Sequence, residues 1–198
     1  MPDTKPKSGL ASMVTRPLLA GTLAAASIAP TTAAADIFLR FEDAQGNLTI
    51  PGESVDAKHK GEIDILSYSQ SFKNPVSSTT GTGADTGKVT CGEVTVLKNI
   101  DKSSPNLIQQ VVTGKHIDKA VLTFRSVGKA ALEYYVVTLE DVLVTSIDQT
   151  DQNNPARIFE RVTLNSAQFK FSYQQQKVDG QLLPAVQFSF DCRTNKAG

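Results

Sequence analysis

Apolar and polar residues alternate along most of the chain after Asp36. A period of two is typical of β-strands that face a core on one side, and turn-rich segments separate the alternating stretches. The pattern predicts seven or more strands, at residues 37–42, 62–72, 88–98, 119–125, 134–146, 157–173 and 185–192. This many strands in one chain indicates a mainly β fold, either a barrel or a sandwich.

Two of the predicted strands change the face on which their apolar residues fall. In residues 88–98 the change lies at Gly92, and in residues 157–173 it lies near Asn165 and Ser166. A one-residue shift of this kind is what a β-bulge produces, and bulges bend strands so that a sheet can close on itself. The sequence therefore favours a closed β-barrel of antiparallel strands.

Residues 134–146 carry apolar side chains on both faces of the predicted strand. One face holds Val137, Leu139 and Leu143, and the other holds Val136, Val142 and Val144. One face can fill the barrel, and the other then needs a cover that excludes water. A second copy of the chain is the natural cover, so Val136, Val142 and Val144 are the candidate subunit-interface residues. A helix of the same chain is the alternative cover.

One helix is predicted, at about residues 105–113. Ser103 or Ser104 can cap its first free N–H groups, and Pro105 fits the first turn, where its missing N–H costs nothing. Gly114 suits the positive φ that is common just past the last turn. An apolar stripe at spacings of three and four, made of Leu107, Ile108, Val111 and Val112, predicts packing against the core.

Composition limits the classes of partner. The chain has 198 residues, 40% of them hydrophobic, which is enough for one domain with a sizeable core. Lys and Arg number 20, as do Asp and Glu, so the formal net charge is zero. Without a basic surplus no nucleic-acid partner is predicted, whereas low self-repulsion permits association between copies. No apolar run after Asp36 approaches the about 20 residues of a membrane-spanning helix, so no span is predicted in the body.

The first 35 residues differ from the rest. Three basic residues precede an apolar stretch at residues 18–29, and small residues at 33–35 follow it. This is the layout of a secretory signal with a cleavage site of small residues, and the alternative is a disordered, Ala-rich extension. In both cases residues 36–198 are predicted to form the single folded domain.

The cysteines and histidines do not form a recognisable metal site. Cys91 and Cys192 both fall in alternating strand patterns and are interpreted as two small buried hydrophobes. If the protein is exported they could pair, but the sequence does not show that they meet. His59 and His116 each lie beside a lysine in a turn-like segment, so we predict solvated or capping side chains. No spacing resembles that of zinc ligands, and no metal is predicted.

No set of residues matches a catalytic signature. Neither GxSxG nor HExxH occurs, and the Gly-rich segment at residues 74–87 is followed at Lys88 by a strand rather than by the helix of a phosphate-binding loop. That segment is better interpreted as a flexible hairpin loop. Glu140 and Asp141 are neighbours on one strand and point to opposite faces, so they cannot flank one bond. We therefore predict no catalytic residue, no cofactor and no enzyme activity.

Three segments carry a family resemblance. They are KHKGEIDILSYS at residues 58–69, HIDKAVLTFR at residues 116–125 and YYVVTLEDVLVTS at residues 134–146. Together they resemble the Hcp family, the haemolysin-coregulated proteins that form the tube of type VI secretion systems. The resemblance extends from about residue 36 to residue 191 and rests on the number, order and spacing of the three segments.

The resemblance implies a small β-barrel with one flanking helix, six copies of which close into a ring. Rings would stack into a tube inside a contractile sheath, below a spike protein and with effector cargo in the lumen. The tube would be secreted from the bacterial cytoplasm. The segment at residues 74–87 falls where the family has an extended ring-stacking loop, so the candidates in this region are Asn74, Ser77, Thr80, Gly83, Asp85 and Gly87.

The signal-like N-terminus departs from this family, whose members normally have no cleavable signal. It motivates a second hypothesis, in which a signal peptide exports a specialised periplasmic or extracellular binding protein built on the same barrel. The two hypotheses differ in the route by which the chain leaves the cytoplasm.

Overall fold

The computed structural model describes residues 35–75, 88–127, 131–151, 157–177 and 181–198. Apart from residue 35, the segment predicted to be a signal or a disordered extension lies outside these ranges. In chain order the elements are β1 (Asp36–Glu42), β2 (Ile63–Ser69), β3 (Phe72–Lys73), β4 (Thr90–Cys91), β5 (Val94–Asn99), α1 (Ser104–Thr113), β6 (Ile117–Arg125), β7 (Glu133–Thr150), β8 (Phe159–Tyr173), β9 (Val186–Asp191) and β10 (Lys196–Ala197).

Six strands close into an antiparallel barrel in the order β8, β5, β2, β1, β6, β7 and back to β8. This confirms the predicted mainly β fold and its closure. The sheet continues past β8 into β9 and β10, while β3 and β4 form a separate two-stranded sheet. Large apolar side chains fill the interior and are fully buried, among them Leu39, Phe41, Ile63, Leu122, Leu139 and Leu164.

The longest pairing in the barrel joins β7 to β8, and β7 changes face near its middle. The buried residues are Val137 and Leu139 before Asp141, and Val142 and Val144 after it. Asp141 has a φ of 56°, a left-handed conformation that Asp adopts more readily than most residues. The odd-numbered apolar residues before Asp141 and the even-numbered ones after it therefore both point into the barrel, at two levels along the strand.

β8 changes face at the same level. Its buried positions are even-numbered up to Ser166, with Thr163 as the exception, and odd-numbered at Phe169. The register shift of the pair lies on β7, at Thr145, between Val144 and Ser146. The predicted change of face on β8 is thus confirmed, but the bulge predicted there is wrong, because the inserted residue belongs to the partner strand.

The predicted strand at residues 88–98 is two strands in two different sheets. They separate at Gly92, whose N–H donates a hydrogen bond of 2.7 Å to the carbonyl oxygen of Ser71. A Cβ on Gly92 would lie 2.6 Å from that oxygen, so this approach of two backbones requires glycine. The change of face at Gly92 is therefore a strand break and not the predicted bulge.

Helix α1 begins and ends close to its predicted limits, with Pro105 in the first turn and Gly114 at a φ of 61°. Ser103 occupies the predicted N-cap position, but its side chain makes no capping hydrogen bond, so the predicted role of its hydroxyl is wrong. The predicted core stripe is only partly correct: Leu107 is fully buried, whereas Val112 is 79% exposed. Successive helical residues point about 100° apart, so the line through Leu107 packs inward and the neighbouring line through Val112 faces solvent.

A buried ion pair joins α1 to the barrel wall. The Nζ of Lys98, on β5, lies 2.6 Å from the carboxylate of Glu160, on β8, and both side chains are fully buried. Lys98 also donates to Ser104 at the start of α1 and lies 2.9 Å from Asp101. Burial alone would raise the pKa of Glu160, but hydrogen bonds from Lys98, Ser104 and Gln149 outweigh it and lower that pKa. The carboxylate is therefore ionised at neutral pH.

Removing one partner of this pair should destabilise the fold more than removing both. We expect Lys98→Met to lower the free energy of unfolding by about 3–5 kcal/mol, because the buried charge of Glu160 loses its counter-ion. The double variant Lys98→Met/Glu160→Leu should lose less, because no buried charge is left unpaired. Urea denaturation followed by circular dichroism measures both, and a double variant no more stable than Lys98→Met would contradict this account.

Candidate assembly site

The sheet extends beyond the closed barrel where β9 pairs with the second half of β8. Three apolar cross-strand pairs lie on one face of this extension: Phe169–Phe190, Phe171–Phe188 and Tyr173–Val186. We call them the rim ladder. Exposure rises along it from Phe169, at 1%, to Phe188, at 49%, and Val186, at 71%. The ladder therefore begins in the core and ends on surface that the chain's described residues leave open.

An open groove runs beside the ladder. The ring of Phe72, on β3, meets Phe169 and Phe171 edge-on, with centroids 5.2 and 5.7 Å away. Tyr135, on β7, stacks against Phe171 at 6.4 Å. The residues that line this aromatic groove are Tyr68, Gln70, Phe72, Val89, Tyr135, Phe171, Phe188 and Phe190. Edge-on and stacked rings at these distances fix the shape of the groove.

The aromatic groove is lined by uncharged side chains. Burial raises the pKa of Tyr68, and the neighbouring Tyr135 raises it further. Burial also raises the pKa of Tyr135, so both phenols stay neutral at physiological pH. The hydroxyl of Tyr68 donates to the side-chain oxygen of Gln70. A surface of this kind favours an apolar partner over a charged one.

The hairpin base, residues 70–73 and 88–92, is held to the barrel by a disulfide. β3 and β4 pair at only two positions, and Cys91 of β4 is bonded to Cys192, just after β9, with their Cα atoms 6.2 Å apart. The interpretation of the cysteines as two separate buried hydrophobes is therefore wrong, and the pairing left open by the sequence is what the structure shows. The sequence could not show it, because 101 residues separate the two positions.

Two of the three predicted interface residues are not on the surface. Val142 and Val144 are buried in the core, so the prediction that they face outward is wrong. The cause is the change of face at Asp141, which turns their side of the strand inward. Val136 is half-buried and lines a shallow hollow with Thr138, so it remains a candidate contact for a second copy.

The predicted ring-stacking residues fall mostly outside the described part of the chain. Asn74 is exposed and directly follows β3. The remaining candidates, Ser77, Thr80, Gly83, Asp85 and Gly87, belong to the undescribed segment between residues 75 and 88. Their role stays a prediction.

The two histidines differ in environment. His59 is buried and stacks on Phe38, with ring centroids 4.1 Å apart, and its Nδ1 lies 3.0 Å from Glu62. The prediction of a solvated or capping His59 is therefore wrong. His116 is 60% exposed and contacts the carboxylate of Asp141 at 2.6 Å, which agrees with a solvated histidine.

The predicted carboxylate pair does not form a two-carboxylate site. Glu140 binds Lys170 at 2.6 Å, whereas Asp141 binds His116 and, at 3.2 Å, Arg193. Across the described ranges, no group of three or more His, Cys, Asp and Glu side chains could hold a metal ion. Within the same ranges no helix is long and apolar enough to cross a membrane.

Comparison with known proteins identifies the family. The model of the family described as "Type VI secretion system effector, Hcp" matches residues 38–179. The chain belongs to the Hcp family. Protein hcp1 of Pseudomonas aeruginosa is 39% identical over 148 residues, which cover 74% of this chain and 88% of that relative. Hcp proteins are tube components of type VI secretion systems, and the predicted resemblance is confirmed.

Solved Hcp structures show the same fold. Hcp1 from Salmonella typhimurium is 31% identical and aligns with a TM-score of 0.65, covering 83% of this chain and 99% of its own. A structure described as a type six secretion system protein aligns with a TM-score of 0.76 at 22% identity, covering 83% of this chain and all of its own. At that identity the second likeness shows the fold alone.

Sequence reasoning found the strands of the rim ladder but not the ladder itself. The signal was present, because Phe169, Phe171 and Tyr173 alternate on one strand and Val186 and Phe188 alternate on the next. Pairing the two runs as a hairpin across the intervening segment at residues 174–183 would have placed these side chains on one face. The extent to which they project beyond the barrel depends on where β5 ends its pairing with β8, at Leu164, and the pattern does not give that position.

Proposed function

We propose that this Hcp protein is a structural subunit of the type VI secretion tube. Six copies form a ring, rings stack into a tube, and the tube is secreted with effector cargo in its lumen. The contractile sheath and the spike protein are its further partners. Membership of the Hcp family supports the role, and the exposed rim ladder supplies a surface on which copies can associate.

The rim ladder is the observation that carries self-association. Val186 and Phe188 are exposed, and they belong to a continuous apolar run rather than standing alone on the surface. Continuous exposed apolar surface marks interaction sites. The outer edge of β9 pairs with β10 at Phe190 and Asp191, and Ser189 exchanges backbone hydrogen bonds with Gly198. Among the described residues, no strand pairs with this edge before Ser189, so that part can accept another strand. A second copy can cover the ladder and pair with this edge.

A ring requires two different patches on each subunit, because its contacts are heterologous and close on themselves. We propose the rim ladder as one patch. Val136, on the face of β7 that points away from the barrel interior, is a candidate for contacts elsewhere on the subunit. The zero formal net charge adds little repulsion between copies.

We also propose that the hairpin loop between β3 and β4 takes part in stacking one ring on the next. The hairpin base lies against the barrel, with Phe72 packed on the rim ladder. It therefore holds both ends of the loop at one place on each subunit. Asn74, Ser77, Thr80, Gly83, Asp85 and Gly87 are the proposed stacking residues.

Phe188→Ser should weaken ring formation without unfolding the subunit. Each contact would lose roughly 1–3 kcal/mol of apolar burial, which lowers the association constant by about tenfold to a hundredfold. Size-exclusion chromatography with light scattering should show monomers at concentrations where the wild type forms hexamers. Phe188→Leu, which keeps an apolar side chain, is the control and should still assemble. A wild type that stays monomeric at high concentration counts against the tube role.

Deleting residues 77–85 should leave ring formation intact and impair stacking. The deleted segment is rich in Ser, Thr and Gly and removes little apolar surface, so the barrel should keep its thermal stability. Negative-stain electron microscopy should show single rings in place of tubes. Tubes of unchanged length would refute a stacking role for the loop.

The disulfide favours the second hypothesis, an exported binding protein on the same barrel. Disulfides persist in oxidising compartments and are rare in the cytoplasm, and the aromatic groove could hold an apolar ligand. Mass spectrometry of the mature protein separates the two routes. A chain that starts near Asp36 supports export by a signal peptide, whereas an intact Met1 supports delivery by the secretion machine.

A further inference from the structure

The hairpin base depends on the disulfide more than any strand of the barrel does. β3 and β4 share two residue pairs, and an isolated hairpin of this size is marginal in water. The Cys91–Cys192 bond ties this small sheet to the end of β9 across 101 residues of chain. The backbone enters the hairpin base from β2 and leaves it into β5, and the disulfide is the one covalent cross-link between this base and the far end of the barrel sheet.

The barrel side of this link is firmly held. The N–H of Cys192 donates a hydrogen bond of 2.9 Å to the carbonyl of Ala167 on β8. The carboxylate of Asp191 accepts the N–H groups of Arg193 and Thr194 at 2.8 and 2.9 Å. These bonds fix the turn that carries Cys192 whether or not its sulfur is bonded to Cys91.

The hairpin side is held weakly apart from the disulfide. The N–H of Val89 donates to the side-chain oxygen of Asn195 at 3.0 Å, and the Nζ of Lys88 donates to the carbonyl of Arg193 at 3.3 Å. Both hydrogen bonds are exposed to solvent, where each contributes little. Phe72 adds ring contacts, but its side chain is also exposed. Opening of the disulfide should therefore release the hairpin and leave the turn in place.

Solvent and small reactants can reach the disulfide. Both cysteines are half-buried and line an open groove, together with Lys88, His116, Asp141 and Arg193. Access for a dissolved thiol is a property of a reactive disulfide rather than of an inert core bond.

We propose that Cys91–Cys192 is a thiol-exchange site that acts as a redox latch for the hairpin base, with low-molecular-weight thiols as its reactants. A thiolate attacks one cysteine sulfur and forms a mixed disulfide, and the other cysteine leaves with the electron pair and takes a proton. A second thiol then displaces the first cysteine. Two thiols become one small disulfide, and the protein gains two electrons and two protons.

The latch is open in a reducing compartment and closed in an oxidising one. The closed latch holds the hairpin base on the rim-ladder side of the barrel, and the open latch frees residues 70–73 and 88–92. The latch acts on this base alone, whether or not the chain forms rings.

The full-length oxidised protein tests the latch by hydrogen exchange before and after treatment with reduced glutathione under native conditions. We expect two free thiols per chain, counted by a thiol-specific dye. Exchange at the amides of residues 71–73 and 90–92 should become at least about tenfold faster. The amides of β1 and β6 report on the barrel and should keep their protection. Cys91→Ser/Cys192→Ser should show the fast exchange at the base with or without glutathione.

Three results would each overturn the proposal. Thiols that appear only in denaturant would show an inert disulfide. Base amides that exchange at the same rate after reduction would show that the bond holds nothing in place. Loss of protection in β1 and β6 together with the base would show that the disulfide stabilises the whole fold and not the base alone. The glutathione experiment uses the wild-type chain, so it decides the matter even if the double variant does not fold.

Discussion

The pairing of β7 with β8 is the constraint on which the rest of the structure depends. It is the contact that closes the sheet into a barrel, and closure removes the free edges of six strands. Both strands change face at one level, near Asp141 on β7 and Ser166 on β8. Because they change together, the pairs Glu140–Gln168 and Val142–Ser166 on either side of this level stay in register, and the register shift lies further along, at Thr145. The barrel can then bury apolar side chains of both parities from one long strand.

The same pairing produces the surface proposed for assembly. β8 continues the barrel's inward apolar face into its pairing with β9, beyond the point where the barrel can cover it. Phe169 is thus a core residue, whereas Phe188, one step along the same ladder, is half-exposed. The exposed patch is an extension of the core and not a separate apolar side of the barrel. A subunit that leaves part of its core face open is suited to cover by another copy.

Two very different links attach the peripheral elements to the barrel. The start of α1 is held by Lys98 and Glu160, a buried pair whose charges are satisfied by several hydrogen bonds. The hairpin base is held by the Cys91–Cys192 bond at the surface. The Lys98–Glu160 pair is shielded from solvent, whereas the disulfide is accessible to dissolved thiols. The hairpin, rather than the helix, is therefore the element whose attachment depends on the compartment.

The sequence by itself determined the mainly β fold class, the helix limits at Pro105 and Gly114, and the family. These follow from local information: a period of two, helix-end residues, and short motifs in a fixed order. The closure of the barrel was predicted correctly, but from two bulges that the structure does not have at those positions. Only the tertiary structure decided which way Val142 and Val144 point, that His59 is buried against Phe38, and that Cys91 meets Cys192. Each of these depends on how strands distant in sequence align, and alternation along one strand defines two faces without saying which of them is covered.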